Sequence, residues 1–86
     1  MEHTSGPWHR NIAPATKYTT IFAGRNTHVA RLAVDGLSAD EVEANCNLIA
    51  AAPDLLDALR RLVHPMADDT DLENALDVIA RATGAA

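Results

Sequence analysis

The side chains of this 86-residue chain that can do chemistry are four histidines (His3, His9, His28, His64), one cysteine (Cys46) and a surplus of carboxylates. A metal centre needs several such donors held together, which on one helix means a spacing of three or four residues. No two of the histidines stand at that spacing. A single cysteine also removes the paired-thiol zinc motifs and any intrachain disulfide. The spacing predicts no metal site and no cofactor.

A nucleophilic thiol wants an electropositive, partly open setting, whereas Cys46 lies inside the apolar run "ANCNLIAAAPDLLDAL". A buried structural thiol is the expectation. Asp54 and Asp57 fall on the charged side of that run, and Asp68, Asp69 and Asp71 cluster at a helix start, where solvation and capping explain them. No phosphate-binding loop, dinucleotide fingerprint or esterase elbow occurs. No catalytic residue is expected.

Phosphate recognition has more to build on. Arg10, Lys17, Arg25 and Arg31 share the first part of the chain with its three aromatic residues, Trp8, Tyr18 and Phe22. A small phosphorylated ligand needs only two or three such cations, so these four are candidate nucleotide contacts. The remainder opposes a polynucleotide: residues 37–86 set three arginines against ten carboxylates, while residues 1–36 set four basic groups against two acids. Nucleic acid would be repelled by the larger half. Asp54, Asp57 and Glu73 are instead candidates for an acidic face turned toward a basic protein partner.

The elements that must carry these groups follow from punctuation and period. Residues 1–7 end in Gly-Pro and read as a disordered tail, and residues 8–36 read as a small antiparallel sheet of two or three strands. "NIAPAT" is a turn, and "GRNT" joins two β-type runs, "KYTTIFA" and "HVARLAV". In the second run, alternation puts Ala30, Leu32 and Val34 on one buried face. Ser38 with Glu41 makes a capping box, so a helical path covers residues 38–64, kinked or interrupted at Pro53. Val42, Ile49, Leu56 and Val63 recur along it every seven residues, with Leu48, Leu55 and Leu62 beside them. Thr70 with Glu73 predicts the cap of a second helix over residues 70–83. The fold class is α+β, one domain.

"TSGPW" near the start and "EANCNLIAAAPDLLDAL" later resemble small phage and prophage accessory proteins, similar to the Ead-like proteins of temperate phages. The likeness covers residues 6–8 and 45–59. Cys46 stands where that pattern usually has alanine, and the helix after Pro65 is additional. The resemblance implies phage origin and a non-essential accessory role, and marks Trp8, Asn45 and Pro53 as structural positions. It supplies no catalytic residue.

Two apolar rows are too wide for one small sheet to cover, and only the short final helix is left to pack beyond Pro53. Leu55, Leu59, Leu62, Val63, Leu72, Leu76 and Ile79 are therefore expected at a homodimer or partner interface. With no apolar run long enough to span a bilayer and no basic-then-apolar leader, the expected setting is the cytoplasm of the bacterial host. The leading expectation is a non-enzymatic phage protein that docks on and modulates a host protein, plausible targets including a defence system. A nucleotide sponge and an inert oligomerisation module are the alternatives.

Overall fold

The computed structural model describes residues 2–10 and 18–84 and is an α+β fold. A three-stranded antiparallel sheet is formed by β1 (Trp8–Arg10), β2 (Tyr18–Ala23) and β3 (Thr27–Ala33), in the order β1-β2-β3. Three helices follow: α1 (Ala39–Ala50), α2 (Ala52–Leu62) and α3 (Asp69–Ala82). Residues 2–7 lie outside these elements. The turn expected at "NIAPAT" and Lys17 lie outside the described residues.

Beta-branched and aromatic residues fill β2 from Tyr18 to Phe22, and Thr27 and Val29 add to them in β3, as suits a pleated surface with one side covered. Gly24, at φ 64°, supplies the left-handed conformation of the turn between them. Pairing runs Thr19 to Leu32 and Ile21 to Ala30, then slips so that Phe22 meets His28. The slip leaves Val29 without a cross-strand partner. This bulge lets Val29 and Ala30 both pack toward the core, alongside Leu32 and Val34.

Helix α1 lies across that inner face. Its start is fixed by the predicted capping box: the Glu41 amide donates to Ser38 Oγ at 3.1 Å, and the Ser38 amide to Glu41 Oε1 at 3.4 Å. Val42, Cys46, Ile49 and Ala50, spaced to share one face, meet Ile21, Trp8 and Leu32. Ile21 has no exposed surface and Cys46 retains 1%.

The helical path breaks for one residue at Ala51, and α2 begins with Pro53 in its first turn. A proline there costs nothing, because its missing N–H would have had no intrahelical partner. The Ala51 carbonyl still accepts from the Leu55 amide at 2.8 Å, so the interruption is brief. The final helix begins earlier than Thr70. Asp68 is the cap, accepting from the Asp71 amide at 3.2 Å while Asp71 accepts from the Asp68 amide at 3.1 Å. This reciprocal carboxylate pair leaves no capping role for Thr70 and Glu73.

Candidate functional site

Helices α2 and α3 form an antiparallel hairpin whose contact is made by small side chains. Ala58, Ala75 and Val78 are buried there, with Leu55 packed against them. Alanines at a helix contact let the two axes approach closely, and the larger residues are then displaced to the flanks.

The flanks are unlike. At about 100° per residue, Asp54, Asp57 and Arg61 fall on one side of Ala58, and Asp77 and Arg81 fall on the same side of the hairpin in α3. They form an ion-paired surface: Arg81 reaches Asp54 at 3.3 Å and Asp77 at 3.4 Å, and Arg61 reaches Asp57 at 3.2 Å. With these side chains about half exposed, each pair adds at most about 1 kcal/mol. Their larger effect is to make this flank charged.

The other flank is apolar and open. Leu59 is 59% exposed, Val63 79%, Leu72 51%, Leu76 59% and Ile79 50%, with Leu62 at 37%. Packing of α3 on α2 covers Ala58 and Leu55 and leaves these side chains open. Of the predicted interface set, Leu55 alone belongs to the hairpin's own core. Leu56 and Met66, the latter 79% exposed in the connection to α3, extend the surface beyond that set. Met66 could have been added from sequence, being apolar in a polar turn.

The predicted acidic set is divided. Asp54 and Asp57 share the ion-paired flank, whereas Glu73 lies on the far rim of α3, with no cation in ion-pair distance among the described residues. The predicted basic set is divided as well. Arg10 pairs with Ile21 and so points to the inner side of the sheet, lining a cleft with Val34, Leu37, Ala39 and Val42. Arg31 is on the outer side, its guanidinium 5.4 Å from the centre of the Tyr18 ring. Arg25 is in the hairpin turn. On that outer side Phe22 also stacks on His9 at 5.8 Å and meets His28 edge-on at 4.8 Å, a row the sequence reading missed. Cross-strand pairing of His9 with Phe22 and of Phe22 with His28 produces it.

Of the three structural positions, two are neighbours of one junction. The Trp8 indole donates to the Thr4 carbonyl at 3.1 Å and packs on the core. Gly6 is so near Pro53 that a β-carbon on it would lie 2.9 Å from Pro53 Cβ. The Gly-Pro-Trp segment thus docks where α1 gives way to α2, beside a cleft of about 360 Å³ that includes Asp54, Asp57 and Arg60. The third, Asn45, is exposed, because the sheet-facing positions of α1 are 42, 46, 49 and 50. Asn47 takes the junction instead, lining a cleft with Pro7 and Trp8, and a β-carbon on Gly84 would lie 3.1 Å from its Nδ2.

No helix among the described residues is long and apolar enough to cross a membrane. No cluster of metal-binding side chains occurs among them. Against known proteins, the model of one family, described as Salmonella phage P22 protein Y8K6, matches residues 1–86. No curated protein matches the chain, and no solved structure does.

Proposed function

We propose a binding function from one premise: the chain belongs to the family of Salmonella phage P22 protein Y8K6, and so to a family of small phage proteins. It is a phage accessory protein, and in our reading it acts without catalysis or cofactor, in the cytoplasm of the bacterial host, by binding and modulating a host protein. Inhibition of a host defence is the sharpest form of that reading. The likeness of residues 6–8 and 45–59 to Ead-like proteins supports the accessory role.

One observation carries the choice of binding over chemistry: the α2–α3 hairpin has one ion-paired flank and one bare leucine flank. An apolar surface left open by the fold costs solubility unless another protein meets it, so such surfaces are marks of interaction. The host contact in this reading is the ion-paired flank, where Asp54, Asp57 and Asp77 outnumber Arg61 and Arg81 and favour a basic partner. Affinity capture from host lysate with mass spectrometry tests it. A specific host protein should be recovered, and recovery should fall when Asp54→Lys and Asp57→Lys are combined. Recovery of no host protein, or recovery indifferent to the charge reversal, contradicts the reading.

The nucleotide-sponge alternative is favoured by one contact, Arg31 over Tyr18 on the outer side of the sheet. Since Arg10 is on the opposite side, Arg31 and Arg25 are the members of the predicted basic set that the described residues leave for that site. Alanine at both should then abolish nucleotide uptake, read by equilibrium dialysis. Unchanged uptake, or none by the parent protein, removes the alternative.

A further inference from the structure

We infer that the leucine flank of the α2–α3 hairpin is closed by a second copy of the same hairpin, giving a two-fold antiparallel four-helix bundle in which α2 packs against the partner's α3. The inference rests on the binding reading above and names the occupant of its open apolar surface.

The first argument is area. Exposed parts of Leu59, Leu62, Val63, Leu72, Leu76 and Ile79 come to roughly 600–700 Å² per copy, so a pair that covered them completely would bury about 1,200–1,400 Å², at the lower end of the range of stable specific interfaces. One helix alone could not cover a surface two helices wide. A second two-helix unit can.

The second argument is level. The Asp54–Arg81 bridge and the Ala58–Ala75–Val78 contact fix how the two helices run past each other. They set Leu59 level with Leu76, Val63 with Leu72, and the Leu55–Leu56 pair with Ile79. A two-fold axis parallel to the helices keeps those levels and places α2 of one copy beside α3 of the other, running antiparallel. Each layer then meets its counterpart: Leu59 on the partner's Leu76, and Val63 on the partner's Leu72. Such an isologous contact is self-complementary because each helix supplies what the other lacks.

Charge selects the axis. On the charged flank the charges are paired within the chain. On the outer rims of the leucine flank they are not. Arg60, a turn from Leu56 and Val63, borders α2; Asp69 and Glu73, a turn from Leu72 and Leu76, border α3. All three are exposed and have no ion-pair partner among the described residues. An axis parallel to the helices brings the basic rim of α2 onto the acidic rim of the partner's α3. An axis across the helices would instead stack α2 on α2, arginine against arginine. The spare charges fit the first arrangement and oppose the second.

Sedimentation equilibrium on the purified full-length chain tests this without any host component. The expected species has twice the 9.2 kDa chain mass. Leu59→Glu with Leu76→Glu should weaken association at least about a hundredfold, since each would bury an unpaired carboxylate. Helical circular dichroism should be kept, because both leucines are more than half exposed in the single chain. Arg60→Glu should weaken association about tenfold by facing acid with acid, and adding Glu73→Arg should restore it. A chain that stays at 9.2 kDa at high concentration overturns the inference, and so does a dimer indifferent to the leucine changes or unrescued by the charge exchange. A single chain that still captures a host protein would overturn the second copy and keep the binding reading; a dimer that captures none would do the reverse.

Discussion

The two halves of the molecule use their apolar residues in opposite ways. Beneath the sheet, apolar side chains close over one another: Ile21, Val42 and Cys46 are buried, with Trp8, Leu32 and Ile49 packed around them. In the hairpin, Ala58, Ala75 and Val78 fill the contact while leucines lie outside it, Leu59 and Leu76 each 59% exposed. At roughly 1.5–3 kcal/mol for each fully buried aliphatic side chain, the sheet half realises its hydrophobic free energy within the chain, and the hairpin half holds much of its own in reserve. The difference teaches where the fold ends and where association starts. One half is a finished core, the other half of one.

That contrast predicts unequal responses to mutation. Ile21→Ala should cost about 2–5 kcal/mol, because it removes a fully enclosed side chain from a core with nothing to spare. Urea denaturation followed by circular dichroism reads it, and a cost below 1 kcal/mol would mean that the sheet core is not what holds the chain. Ala75→Leu should come next, at about 1–3 kcal/mol, since it forces the close α2–α3 contact apart. If it were neutral, the hairpin would not be packed on its alanines. Ser38→Ala should cost about 1 kcal/mol by uncapping α1, measured by the same unfolding curves. Smallest of all, Leu76→Ala at concentrations where the chain is single should change stability by less than about 0.5 kcal/mol, since the side chain is largely in water. A large loss in that dilute sample would show that Leu76 is covered from within, and the contrast would dissolve.

Much of this was legible in the chain. Alternation placed Ala30, Leu32 and Val34 inward, and Ser38 with Glu41 marked the start of α1, because strand period and capping are local in origin. The open leucines were legible too, as a count of apolar residues exceeding what one sheet and one short helix can cover. The exposure of Asn45 was not legible, because it follows Val42 by three residues and only the position of the sheet selects 42, 46, 49 and 50 as the inward side of α1. Thr70 lost the cap to Asp68, since both make plausible boxes with a residue three positions on and only the chain path chooses between them. Arg10 and Arg31 looked like one basic patch in sequence, yet strand pleating sends them to opposite sides. The meeting of Gly6 with Pro53 is long-range and carried no local signal beyond the resemblance that contained both.

The bare leucine flank can be examined directly by isotope-filtered nuclear Overhauser spectroscopy on an equal mixture of labelled and unlabelled chain, which reports only contacts between copies. Transfer from Leu59 methyls of one copy to Leu76 methyls of the other, with Val63 to Leu72 in the next layer, is the predicted result. Leucine methyls that show transfer only within their own chain, at concentrations where the protein is fully folded, would contradict it.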